Sequence, residues 1–138
     1  MPVQKHIREK LIKVANKARK LAYVPYSHYS VGAALLGESG NIYTGVNVEN
    51  AAYPTSICAE RTAVFKAVSE GEQRFKAIAI VTDNGGSPCG SCRQVLAEFG
   101  LDLVVVLANK DGEVVNEAVL SDLLPGAFTP ADLPHDGK

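Results

Sequence analysis

Ile7, Leu11, Val14, Ala18 and Leu21 recur at spacings of three and four through a stretch otherwise rich in charge. This predicts an amphipathic helix that ends before VPYSHYS (24–30), where Pro25 and a polar cluster make a loop. VGAALL (31–36) reads as a buried strand, GESGN as a turn and IYTGVNVEN (42–50) as a second, antiparallel strand. CAERTAVFKAVSEG (58–71) has helical spacing at Ala59, Ala63 and Ala67 and at Phe65 and Val68, with Gly71 as its stop. AIAIVTD (77–83) is an apolar β-branched strand, and DNGGSP turns the chain into a third helix, CGSCRQVLAEFG (89–100). LDLVVVLA (101–108) is the most apolar strand. The turn NKDG leads to EVVNEAVL (113–120) as a hairpin partner, because four residues cannot carry a parallel crossover. The predicted order is α-β-β-α-β-α-β-β: a mixed sheet with helices on its faces, parallel around the middle helices and antiparallel at the ends.

Length and composition set limits on this picture. The 138 residues suggest one domain spanning 1–138, with a flexible tail from about 133. With 46% hydrophobic residues the core needs neither disulfides nor a metal to fold. A net charge of −1, with acids and bases mixed, advertises no surface for nucleic acid and leaves a small neutral substrate open. No run approaches a membrane span, and the charged N-terminal segment is unlike a signal peptide. Three cysteines then point to free thiols or metal, and to the cytoplasm.

The candidate chemistry lies at two predicted helix starts. Cys89 and Cys92 stand at i and i+3, on one face of a first turn, and Cys58 opens the other helix. A C-x-x-C pair alone serves redox exchange, structural zinc or a catalytic metal. Helices leaving the carboxyl ends of neighbouring strands place their N-termini side by side, so the three thiols could converge. Helix N-termini favour thiolate, and three thiolates can hold Zn²⁺ while leaving a fourth position for water. His6 on the first helix, His28 in the loop and His135 in the tail are poorly placed as a fourth ligand.

Glu60 stands beside Cys58, but residues i and i+2 of a helix point to nearly opposite sides. The two share a site only if Cys58 sits outside the regular helix. Glu60 could then take a proton from metal-bound water and pass it to a substrate nitrogen. Zinc with three thiolates carries surplus negative charge, so Arg61 or Arg93 is expected to donate to a cysteine sulfur. Asn47 and Glu49 alternate on one strand face, as a solvated strand end or as a hydroxyl clamp. Phe128 reads as a core or oligomer anchor, and Tyr26, Tyr29 and Tyr53 could line a groove.

Together, YSHYSVGAALL, VNVENAAYPTSICAERTAVFKAVSEG, SPCGSCRQVLAEFG and LLPGAF resemble the cytidine deaminases, specifically the short homotetrameric type with three cysteine ligands. The resemblance runs from about residue 8 to residue 133. It implies a three-layer α/β/α sandwich with a mixed five-stranded sheet, its last two strands antiparallel. It implies hydrolytic deamination of cytidine and deoxycytidine in pyrimidine salvage, with one Zn²⁺ per chain on Cys58, Cys89 and Cys92. Zinc-bound hydroxide would attack C4, with Glu60 as proton shuttle. Asn47 and Glu49 match residues that hold the ribose 3′-hydroxyl, and Ala59 one whose backbone meets the base. Tyr29 matches a position, often phenylalanine, near sugar and base. Tyr53 and Phe128 match residues that complete a neighbouring subunit's pocket, and Arg61 an arginine bonded to ligand sulfur. The short NKDG turn argues against the nucleotide and polynucleotide branches, whose longer crossover keeps the last strands parallel. A deaminase of another substrate, a zinc-stabilised binding module and a thiol redox protein are the alternatives.

Overall fold

A computed structural model describes residues 3–134, so His135 and the end of the expected tail lie outside the described residues. Five strands form one sheet in the order β2-β1-β3-β4-β5: β1 Gly32–Gly37, β2 Ile42–Val46, β3 Phe75–Val81, β4 Val104–Ala108 and β5 Val114–Val119. Only β3 and β4 pair in parallel, with Ile78 opposite Val105, and every other pairing is antiparallel. The mixed sheet and its antiparallel last pair follow the sequence expectation. One neighbour relation does not: β1 lies between β2 and β3, so the strands feeding the two middle helices are aligned in direction but not adjacent.

Helix α1 (Lys5–Arg19) covers one face of the sheet, seating Leu11, Ile12 and Ala15 against Ala34, Ala77, Ala79 and Val106. Helices α2 (Ala59–Ser69), α3 (Gly90–Ala97) and the short α4 (Leu120–Leu123) cover the other, against Leu35, Ile78, Ile80 and Val105. The result is a three-layer α/β/α sandwich. With both faces covered, β3 and β4 are apolar at nearly every position, which is why they read as continuous runs. The first helix ends two residues earlier than its pattern suggests, and Leu21 beyond it is 80% exposed. Phe65, placed on the apolar face of α2 by spacing, is also half exposed. The second strand stops at Val46 because Asn47 turns its side chain onto backbone: Oδ1 accepts from Val31 N at 2.9 Å and Nδ2 donates to Tyr29 O at 2.8 Å. Gly71, with φ +93°, ends α2 as expected.

How closely α2 approaches the sheet depends on Gly45 in β2. A Cβ there would collide with Ala59 O and lie 2.5 Å from Ala63 N, both backbone atoms that cannot step aside. Gly45→Ala is therefore expected to push α2 outward and cost about 2–3 kcal/mol, read as a lowered midpoint of urea unfolding.

At the opposite end, Glu72 binds the β1–β2 turn, accepting from Ser39 N at 2.9 Å, Ser39 Oγ at 2.5 Å and Tyr43 OH at 2.8 Å. The Ser39 hydroxyl, then its amide and Tyr43, hold this carboxyl below its ordinary value of 4.5. A pKa lowered by folding adds stability above the unfolded value and loses it as pH falls through the folded one. Thermal scans between pH 6 and about 3 should accordingly show a shallower acid loss for Glu72→Gln than for the native chain.

Candidate metal centre and substrate cavity

Cys58 is the N-cap of α2, with φ −81° and ψ 156°, and Cys89 is the N-cap of α3, with φ −68° and ψ 168°. Both are extended residues just outside their helices, so their side chains leave the helical register. Cys58 can therefore share a cavity with Glu60, two residues on. Thr62 locks this start by donating to Val46 O at 3.0 Å and Cys58 O at 3.2 Å. Cys92 lies one turn into α3, fully buried, and its amide donates to Cys89 Sγ at 3.4 Å. Although α2 and α3 follow non-adjacent strands, they lie on the same face of the sheet, so their N-termini meet at its carboxyl edge.

The ligand atoms of Cys58, Cys89 and Cys92 all lie within 4.8 Å of one another, and neither His6 nor His28 joins that cluster. Cys58 Sγ is 3.9 Å from Cys89 Sγ, which is 3.3 Å from Cys92 Sγ. A tetrahedral zinc with bonds of about 2.3 Å separates its sulfurs by about 3.8 Å, so the three thiols fit that ion with small adjustments. The electrostatics fit it too. Cys58 is lowered to about 5, first by the neighbouring Cys92 thiol and then by the Arg61 guanidinium, with burial opposing; Cys58 and burial push Cys92 up. Arg61 Nη2 donates to Cys58 Sγ at 3.4 Å, and its Nε is buried with no partner among the described residues. A cation with unspent capacity suits a centre with surplus negative charge.

Arg93 does not reach sulfur. It donates to Pro88 O at 2.8 Å, Leu123 O at 2.6 Å and Ser87 Oγ at 2.8 Å, pinning the segment before Cys89 to α4. The carbonyls at the end of α4 are a nearer acceptor than the thiols, and nothing in the sequence pattern marks α4.

Glu60, 4% exposed, lines a cavity of about 480 Å³ together with Cys58 and Cys89. Burial pushes its carboxyl above the usual carboxylate range, with the Cys58 sulfur adding to the effect. Asn47, Glu49 and Tyr29 also line the cavity. Glu49 accepts from Tyr26 N at 3.0 Å, Ser27 N at 3.1 Å and the Ser27 hydroxyl, and these bonds, the hydroxyl's foremost, lower its pKa. Ala59 is buried at the first position of α2. Tyr53 stands at the rim of this same cavity, 68% exposed and edge-on to Tyr26 at 5.7 Å. Phe128, 55% exposed, is absent from the cavity wall. Thr82 and Gly86 also line the cavity. By sequence they are a strand end and a turn, and the polar Thr82 closing an apolar strand is the one signal available.

Several known proteins are similar to this chain. Residues 5–108 match the family model described as the cytidine and deoxycytidylate deaminase zinc-binding region. The cytidine deaminase of Sporosarcina psychrophila is 55% identical over 130 residues, covering 92% of this chain and 95% of that one. That of Halalkalibacterium halodurans is 52% identical over 129 residues, covering 91% and 97%. The crystal structure of cytidine deaminase from Burkholderia pseudomallei superposes with a TM-score of 0.84 at 46% identity, covering 91% of this chain and all of that one.

Proposed function

Because the chain belongs to the cytidine and deoxycytidylate deaminase family, we propose that it hydrolyses cytidine and deoxycytidine to uridine and deoxyuridine, releasing ammonia, in pyrimidine salvage. The observation that carries this reading is the meeting of three cysteine sulfurs, two of which line one cavity with a buried glutamate. When bound by Cys58, Cys89 and Cys92, zinc supplies Lewis-acid activation of water at neutral pH. Glu60 takes the proton of the attacking water and delivers it to the amino nitrogen at C4, which leaves as ammonia. A carboxyl raised by burial suits this work, because it holds a proton more readily than an ordinary carboxylate does. Arg61 offsets the charge of the thiolates through Cys58.

Asn47 and Glu49 hold the sugar hydroxyls, Tyr29 packs near sugar and base, and the Ala59 backbone meets the base. A nucleoside is favoured over its 5′-phosphate. Arg61 is the one basic residue among the described residues lining the cavity; it is engaged by Cys58, and Glu49 opposes an anion. Tyr53 and Phe128, both exposed, serve the pocket rims of neighbouring copies in a homotetramer. Light scattering tests this by a mass four times the 14.6 kDa of one chain.

The deciding experiment adds cytidine to the zinc-loaded chain and follows the fall in ultraviolet absorbance. Turnover is expected with cytidine and deoxycytidine, with kcat/KM at least about a hundredfold lower for the 5′-monophosphate. An inert chain binding one zinc would replace the enzyme reading with a binding module.

A further inference from the structure

Tyr29 is tied down at three atoms, and the third belongs to none of the roles assigned above. Its amide donates to Ser27 Oγ at 3.1 Å and its carbonyl accepts from Asn47 Nδ2 at 2.8 Å, which joins its backbone to the proposed sugar-binding residues. Its hydroxyl crosses to the segment after β3 and donates to Asn84 Oδ1 at 2.8 Å. That Asn84 oxygen also accepts from Thr82 Oγ1 at 3.3 Å, and Thr82 Oγ1 accepts from the Gly86 amide at 2.9 Å. Thr82 is buried, and Gly86 leads through Ser87 and Pro88 directly to Cys89. A continuous chain of hydrogen bonds thus runs from Glu49, through Ser27, Tyr29 and Asn84, to the segment that delivers two of the three thiols.

A second tie joins the same two segments independently. Arg19 Nε donates to Ser30 O at 3.0 Å, and its Nη2 pairs with the Asp83 carboxylate. Space is matched as well as hydrogen bonding. A Cβ on Gly86 would lie 2.8 Å from the Tyr29 hydroxyl, while the next nearest atoms are Asn84 Oδ1 at 3.5 Å and Thr82 Oγ1 at 4.0 Å. The hydroxyl at 29 is therefore the atom that a side chain at 86 would meet first. The position is one that the resemblance gives as often phenylalanine, and a phenylalanine would keep the backbone bonds but make none of the hydroxyl's contacts.

We propose that the Tyr29 hydroxyl, Asn84 and the bare Gly86 form a latch that holds the two walls of the cavity at one spacing. It sets how tightly a nucleoside binds without entering the chemistry. The inference rests on the deaminase reading for its substrate. Asn84 and Gly86 are positioning residues: they touch Tyr29 and the loop, and neither supplies a proton or a ligand to the reacting atoms. If the open arrangement binds poorly, apparent affinity falls in proportion to the fraction of molecules latched. Losing one neutral hydrogen bond shifts such a balance about fivefold. Because ground state and transition state lose binding alike, KM carries the effect and kcat does not.

The test compares the native zinc-loaded chain with Tyr29→Phe, Gly86→Ala and the double variant. Each is measured for kcat and KM with cytidine, for zinc content, and for amide exchange over residues 84–88. Tyr29→Phe is expected to raise KM about two- to threefold, with unchanged zinc and faster exchange at the Gly86 amide. Gly86→Ala alone should raise KM at least as far, yet add almost nothing when combined with Tyr29→Phe, where its methyl has room. An unchanged KM for Tyr29→Phe overturns the latch, as do effects of the two substitutions that simply multiply. Should the native chain leave cytidine untouched, it is the deaminase reading that fails, and exchange alone then judges the latch: acceleration at Gly86 sustains it and unchanged exchange ends it.

Discussion

Glu60→Gln is expected to lower kcat for cytidine by about 10⁴-fold, the upper end of what one positioned acid–base group contributes, while the chain still binds about one zinc. The amide has the shape of the carboxyl it replaces, and at 4% exposure it inherits the same packing and the same cavity wall. It cannot take a proton from water and give it up again. The proposed metal ligands are other residues, with Cys58 outside the helix and Cys89 and Cys92 at the start of α3, so metal content should stay level. Absorbance-based turnover and zinc analysis on the same preparation separate the two quantities. Turnover within tenfold of native would remove Glu60 from the proton path.

The second large effect should come from Cys58→Ser. Its thiol is lowered to about 5, and it is the proposed ligand that accepts a hydrogen bond from Arg61. A hydroxyl in its place is a poor ligand at neutral pH, and the remaining pair on one helix turn cannot close a three-ligand site. After dialysis against a weak chelator the variant is expected to hold almost no zinc and to turn over no measurable cytidine. Thermal melting gives a check that needs no catalysis. A ligand that binds only the folded chain stabilises it by about 4 kcal/mol at a thousand times its dissociation constant. Added zinc should raise the native midpoint by on the order of 10 °C and leave that of Cys58→Ser nearly unmoved. A variant that retains one zinc and still melts higher with the metal would mean that Cys58 is not a ligand.

The parts of this site legible in the sequence were those with local causes. A cysteine followed two residues later by a glutamate poses a geometric contradiction on a helix. Its resolution, Cys58 as an extended N-cap, follows from the sequence as a condition and is met by φ −81° and ψ 156°. Strand and helix identities in β3, β4, α1 and α2 followed from the apolar pattern, because each of them buries most of the positions that pattern marks, Leu21 and Phe65 excepted. The sign of the charge problem was also legible: three thiols drawn together call for a cation nearby, and Arg61 donates to one of them.

Which cation answers was not legible. Arg61 and Arg93 look equivalent in sequence, each directly following a cysteine motif, yet one donates to Cys58 Sγ and the other to carbonyls at Pro88 and Leu123. The difference arises from α4, a single turn contributed by residues thirty positions further along. The insertion of β1 between β2 and β3 is of the same kind, since strand order depends on which edges meet and no periodicity records it. So is the bond from Tyr29 to Asn84, fifty-five residues apart.

Short-range physics, then, was enough to name the five strands and the three longer helices, and to single out the three thiols and the acid as candidates, because backbone preference and side-chain spacing act over a few residues. The strand order, the arginine that meets sulfur and the partner of the Tyr29 hydroxyl depend on distances between segments remote in the chain. Those distances exist only once α1 and α2 have packed on opposite faces of the sheet and brought the carboxyl ends of β2 and β3 to one edge.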